Sequence, residues 1–310
     1  MDTIQLPGLK QGVSRLIIGS DYFSPNVYEL VCTNLDTFTA IGGNTVDTGY
    51  IYSGGDSEKA IGMWMEDRKN RSEFNVWTKG AHPNQDGSRM YKAAIEEELK
   101  ISLERLRTDY IDLYALHRDD ERVPVGQILE WLNEHVEAGR ILAFGASNWS
   151  SARLEEANRY AAEHGLRGFA FSSPNLSLAK AKEPYWADCV SVDDEILAWH
   201  ERSKLPIFSW SAQARGFFTG RFTPEDHSDA DLVRVFYNDA NWERYYRAEK
   251  LGKEKGFSTI QIALAYVLNQ SFPTAAIVGA RNEAEMRSCQ EAATIELTQE
   301  EIRWLDLRTK

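Results

Sequence analysis

Four apolar runs in this chain end in residues with acid, base or amide chemistry. They are G-N-T-V-D-T-G-Y-I-Y at 43–52, V-W-T-K-G at 76–80, I-D-L-Y-A-L-H at 111–117 and F-G-A-S-N-W at 144–149. The residues in question are Asp47, Lys79, His117 and Asn148, with Tyr52 five residues past Asp47. As a set they suit proton transfer at a carbonyl oxygen. A phenol is a weak acid near neutral pH because its ordinary pKa is about 10. A nearby ammonium favours the phenolate and lowers that value. Lys79 is the candidate ammonium, and Asp47 supplies the counter-charge a buried lysine requires. His117 can hold the substrate oxygen and share in proton transfer. Tyr52 is then general acid in reduction and general base in oxidation. Taken singly, Asp47 with Lys79 also fits a plain buried ion pair, and His117 a core histidine. The other histidines, His82, His135, His164, His200 and His227, lack the strand-end context and read as surface or packing residues.

For such residues to meet, the strands carrying them must run parallel and present their C-terminal ends to one site. The sequence supplies the elements. Residues 4–13 read as a short hairpin with Gly8 and Gly12 at turns. Strands are expected at 15–19, 45–47, 74–78, 111–116, 141–146, 168–172, 205–210 and 275–278. Helical periodicity fills the intervals at 27–40, 57–65 with Ser57 as N-cap, 88–106, 125–137, 150–163, 192–201 and 258–269. Eight strands alternating with helices predict a parallel α/β sheet, and at this length a single (β/α)8 TIM barrel spanning residues 1–310. Two parts exceed that minimum. A polar and aromatic stretch at 213–240, with a helix near 241–255, reads as a functional loop after the seventh strand. Residues 297–307 read as an extra C-terminal helix.

Composition narrows the function class. A formal net charge of -12 over 310 residues disfavours a nucleic-acid partner and an anionic membrane surface. No apolar run reaches the roughly 18–20 residues that span a bilayer. The three cysteines form no C-x-x-C pair and no zinc pattern, so no metal is expected, and they read as reduced thiols of a cytoplasmic protein.

The ordered set Asp47-Thr48 with Tyr52, Thr78-Lys79, His117 and Ser147-Asn148 resembles the aldo-keto reductase superfamily, and the likeness runs the length of the chain. It implies an oxidoreductase that interconverts a carbonyl and an alcohol by hydride transfer with a nicotinamide dinucleotide, with Asp47, Tyr52, Lys79 and His117 as the catalytic tetrad. By the same resemblance Ser147 and Asn148 bind the nicotinamide carboxamide. Ser173 stands where the family usually has glutamine. Trp210 places an aromatic ring against the nicotinamide. Residues 211–221, S-A-Q-A-R-G-F-F-T-G-R, resemble the pyrophosphate loop, through Ser211, Gln213, Arg215, Gly216 and Arg221. Ser20 and Asp21 after the first strand, and Gly279, Arg281 and Glu285 after the eighth, complete the expected cofactor residues. Arg281 suits the 2′-phosphate of NADP. Glu285 and Cys289 depart from the family pattern and keep NAD as the alternative.

The expected substrate residues are Tyr22, Phe23, Trp77, Arg118, Asp119 and Trp149. They suit a sugar or an aryl aldehyde, with a small carbonyl or alcohol as the sole expected partner. Two rivals stand beside this reading. One is a non-catalytic NADPH-binding regulatory module, and the other a Schiff-base lyase using Lys79.

Overall fold

In the computed structural model, which describes residues 1–309, eight short strands close into a parallel barrel. They are β1 (Leu16–Gly19), β2 (Thr45–Asp47), β3 (Asn75–Gly80), β4 (Ile111–Leu116), β5 (Ile141–Ser147), β6 (Ser172–Ser173), β7 (Ile207–Ser209) and β8 (Thr274–Val278). β8 pairs with β1 to close the ring. Helices follow the strands: α1 (Tyr28–Ala40), α2 (Asp56–Arg68), α3 (Lys92–Leu106), α4 (Val125–Glu137), α5 (Ser151–His164), α6 (Asp194–Ser203), α7 (Ala230–Phe236), α8 (Asp239–Lys255), α9 (Thr259–Leu268), α10 (Glu283–Ala292) and α11 (Gln299–Leu305). The (β/α)8 expectation is met. The N-terminal hairpin pairs Thr3–Ile4 with Val13–Ser14.

Two apolar layers hold the barrel. Alternate strand residues point inward. Ile17, Trp77, Leu113, Phe171 and Phe208 fill the interior, which Ile4, Leu6 and Val13 of the hairpin plug from below. The opposite strand faces pack on the helices, as the stripe Val125, Ile128, Leu129 and Leu132 of α4 illustrates. Ser150 caps α5 and accepts from the Arg153 N–H, while Ser258 and Gln261 form a capping box on α9.

Some boundaries differ from the sequence reading. Ser57 lies inside α2 because its hydroxyl bonds Ser20 and Thr48, and Gly55, with φ 95°, leads the helix instead. α3 starts at Lys92 rather than 88. Tyr91 is extended, and Arg89 is pulled to Glu98, which also accepts from the Ala81 N–H. The sixth strand shrinks to two residues. The stretch 213–240 contains a 3-10 segment at Ala214–Thr219 and α7, and α8 begins at Asp239. Among the described residues no helix is long and apolar enough to cross a membrane.

Candidate active site

Register along the parallel strands brings the polar strand ends to one rim. β2 ends in Asp47 and β3 carries Lys79. His117 follows β4 and is fixed by its N–H to Gly80 O at 2.8 Å, and Ser147 ends β5. Lys79 and Asp47 are 2% and 4% exposed. Lys79 Nζ donates to Asp47 Oδ1, to Thr48 O at 2.8 Å and to Tyr52 Oη at 2.9 Å. These three acceptors match the three hydrogens of an ammonium, a form without the free electron pair that Schiff-base formation needs. Tyr52 enters this position from a tight turn in which Ser53, Gly54 and Gly55 all have positive φ. Its ring lies 5.7 Å from that of His117, at 70°. The His117 ring finds no protein hydrogen-bond partner among the described residues, and its Nδ1 is buried.

Burial sets the charges. The Asp47 carboxyl is pushed up to about 6, chiefly by desolvation against the pull of Lys79. Desolvation also lowers the Lys79 ammonium, with Asp47 opposing. The Tyr52 phenol stands well above its usual value, first from burial and then from the charges of Asp47 and Asp21. The lowering expected from Lys79, whose ammonium touches Oη at 2.9 Å, is outweighed by burial and the two carboxylates. His117 is held well below the ordinary imidazole value by burial, with Lys79, His82 and Arg118 adding to it. Near neutrality the rim thus carries a protonated phenol and a neutral imidazole.

A cavity of about 1300 Å³ opens above these groups. Asp47, Tyr52, Lys79 and His117 lie on its lining at one end. Along one wall Asn148, in left-handed conformation (φ 60°), accepts at Oδ1 from Trp210 Nε1 and from the Val190 N–H, both at 3.1 Å. Its Nδ2 donates to Ser147 Oγ at 3.0 Å. Trp210 is thereby held edge-on by the residue expected to share the nicotinamide with it. Ser211, Gln213, Arg215 and Gly216 continue the wall after β7. Ser211, Ala214 and Arg215 have φ between 47° and 53°, and Gly216 has φ 88°, so the peptide N–H groups curl into a concave run. Arg221, Gly279, Arg281 and Glu285 line the far end. There the Glu285 carboxylate accepts from the Arg281 backbone N–H at 2.9 Å, and Asn282 caps α10. A polar cradle of this kind, a long cavity and a helix N-terminus at its end fit a dinucleotide.

Some expected residues sit elsewhere. Ser20 meets the cavity, but its hydroxyl is committed to Asp47 O and Ser57. Ser173 is fully buried behind Ser147, whose hydroxyl donates to Ser173 O at 3.1 Å, and does not line the cavity. Of the six expected substrate residues only Arg118 lines it. Phe23 is wholly in the core beneath Tyr22, whose hydroxyl is tied to Ala280 O. Trp77 is inside the barrel, its ring 4.7 Å below the Lys79 ammonium. Asp119 turns away to pair with Arg153, and Trp149 packs on Phe169. In their place the cavity takes Ile51, Trp186 and Cys189 from loops, and His82, whose ring lies 4.8 Å from His117. His82 is thus not a bystander. Its position just past β3 was the signal available in the sequence. Trp186 and Cys189 sit in a loop without periodicity and left none.

Comparison with known proteins agrees with this geometry. The sequence pattern of the Aldo/keto reductase family matches residues 15–307. Norsolorinic acid reductase of Aspergillus flavus is 28% identical over 283 residues, 88% of this chain and 69% of that protein. Aldo-keto reductase YhdN of Bacillus subtilis is 28% identical over 273 residues, 84% of this chain and 78% of that one. Among solved structures, a glycerol dehydrogenase from Gluconobacter oxydans superposes with a TM-score of 0.79 at 24% identity, covering 98% of this chain and 94% of its own. That structural likeness carries the fold alone.

Proposed function

The chain belongs to the aldo/keto reductase family, and from that premise we propose that Tyr52 is the acid/base of its carbonyl–alcohol interconversion, with NADP as the favoured dinucleotide. The enzyme is an NAD(P)-dependent oxidoreductase. The observation that carries the proposal is the contact of Tyr52 Oη with Lys79 Nζ at 2.9 Å, beside a His117 ring without a protein partner. A small carbonyl or alcohol is the substrate. Three free thiols support a cytoplasmic setting.

When bound, the nicotinamide supplies or accepts the hydride. The protein's share is orientation and the proton. Ser147 and Asn148 would hold the carboxamide, and the Trp210 ring would stand against the nicotinamide. The curled peptides of 211–216 and Arg221 would receive the pyrophosphate, and Arg281 would receive a 2′-phosphate. At the other end Tyr52 donates its Oη proton to the carbonyl oxygen as the carbon is reduced. The neutral His117 imidazole hydrogen-bonds the same oxygen. Lys79 stabilises the phenolate left on Tyr52, and Asp47 keeps Lys79 charged against desolvation. In oxidation the same atoms run in reverse, with Tyr52 receiving the proton.

The test is Tyr52→Phe, assayed with NADPH and NADH over a panel of aldehydes, ketones and alcohols. Loss of the acid should lower kcat by at least about 10²–10⁴, with cofactor dissociation constants unchanged. A variant that keeps more than half of the wild-type kcat removes Tyr52 from the role.

A further inference from the structure

Arg118 is 7% exposed and lines the cavity directly after His117. Its Nη1 donates to His117 O at 2.8 Å and its Nη2 to Cys189 Sγ at 3.2 Å. That engages two of the five N–H donors of a guanidinium. Arg118 takes part in no ion pair among the described residues, although carboxylates surround it in sequence. Asp119 is paired with Arg153 at 3.1 Å and Asp120 with Arg122 at 2.7 Å. Asp47 is bound to Lys79, and Asp21 lines the cavity without pairing to Arg118. The two imidazoles nearby, His82 and His117, are both kept neutral near pH 7 by burial.

A nearly buried cation without a counter-ion is unfavourable unless something entering the site supplies one. The remaining N–H donors form a planar fork, which matches a carboxylate better than a hydroxyl. The backbone on either side is fixed, since Trp149 Nε1 donates to Arg118 O at 3.2 Å. Such a fork is preorganised. It also adjoins His117, so the group it grips must lie close to the reacting carbonyl.

We infer that Arg118 anchors a carboxylate on the substrate, which makes carbonyl compounds bearing a carboxylate the preferred class at this site. This rests on the Tyr52 reading for the chemistry, but anion binding is measurable without it. Arg118 is a specificity residue here and moves no proton.

The experiment compares 4-carboxybenzaldehyde with its neutral methyl ester, using NADPH or NADH, whichever binds more tightly. Benzoate serves as a non-reacting probe. Wild type should favour the carboxylated aldehyde by at least about tenfold in kcat/KM, and benzoate should compete with it. Arg118→Met and Arg118→Gln should lower that preference ratio by about 10–100-fold, the worth of one charge-assisted contact, mostly through KM. Arg118→Lys should restore part of the ratio. Gln keeps a polar amide without the charge, so its comparison with Met separates polarity from charge, and Lys keeps the charge without the fork. If both substrates slow alike and the ratio holds, Arg118 is only a brace for the Cys189 loop and the proposal is overturned. Wild-type indifference to the carboxylate, together with no benzoate competition, also overturns it and leaves the Tyr52 reading intact. If no carbonyl is turned over, the Tyr52 reading fails. The anchor is then judged by benzoate binding to the cofactor complex, read by tryptophan fluorescence. Weakening in Arg118→Gln supports the anchor, and unchanged binding overturns it.

Discussion

Removing Lys79 should cost stability in a way that depends on pH and is repaired by a second substitution. In Lys79→Met the Asp47 carboxylate, 4% exposed, loses its counter-ion. Breaking a buried pair from one side typically costs about 3–5 kcal/mol. A chain of 310 residues has an unfolding entropy near 0.65 kcal/mol per kelvin, from about 2.1 cal/mol/K per residue. The melting temperature should therefore fall by about 5–8 °C. The sign of the pH dependence follows from Asp47. Its folded-state pKa is already raised to about 6, and losing Lys79 removes the charge that restrains it. A raised carboxyl contributes stability below its unfolded value near 3.9 and loses it as pH climbs through the folded one. The penalty should thus be small at pH 5 and full at pH 8. Asp47→Asn combined with Lys79→Met removes the stranded charge and should recover at least half of the lost melting temperature at pH 8. Activity should stay absent in both variants, since neither can stabilise the Tyr52 phenolate. Calorimetric melts of wild type, single and double variants at both pH values give the answer. A fall under about 2 °C at pH 8, or a double variant less stable than the single, would refute the reasoning.

Three further outcomes are expected. Because the Tyr52 phenol is held well above its usual value and His117 well below its own, with Asp47 ionised above about 6, kcat for reduction should be flat from pH 7 to 8 while kcat for oxidation climbs with pH; a reduction profile falling between pH 7 and 8 would contradict it. Trp210→Leu should weaken cofactor binding several-fold and remove much of the fluorescence quench on binding, since stacking contributes about 0.5–1.5 kcal/mol and Asn148 loses a donor at 3.1 Å; an unchanged quench would assign the signal to another tryptophan. NADPH should bind about tenfold more tightly than NADH; Arg281→Ala should erode that margin and Glu285→Gln should widen it, whereas tighter NADH binding that ignores Arg281→Ala would make Glu285 the ribose ligand.

What the sequence disclosed and what it hid divide along a physical line. Strand ends were legible because an apolar run that stops at a charged or amide residue marks both a buried strand and the rim where it surfaces. Asp47, Lys79, His117 and Asn148 follow that rule, and all four line the cavity. The interior position of Trp77 was also within reach. It lies two residues before Lys79 on β3, so alternation puts it on the same inward face one layer deeper, where its ring supports the ammonium instead of meeting a substrate. The sixth strand failed for the opposite reason. Residues 168–171 run alongside β5 with isolated bonds, such as the Ala170 N–H to Phe144 O at 2.8 Å, while the Phe169 ring packs outward on Trp149 and Phe144 and the Phe171 ring inward on Trp77 and Phe208. An apolar run reports burial there without reporting a ladder. The cavity wall opposite the rim comes from loops, where contacts such as Arg118 with Cys189 join residues 71 positions apart. No periodicity encodes such a pairing. Nor does charge counting along the chain, which sets Arg118 beside two aspartates and implies a compensated arginine. Only the folded chain, by turning Asp119 to Arg153 and Asp120 to Arg122, leaves the arginine without an ion-pair partner among the described residues on the cavity lining.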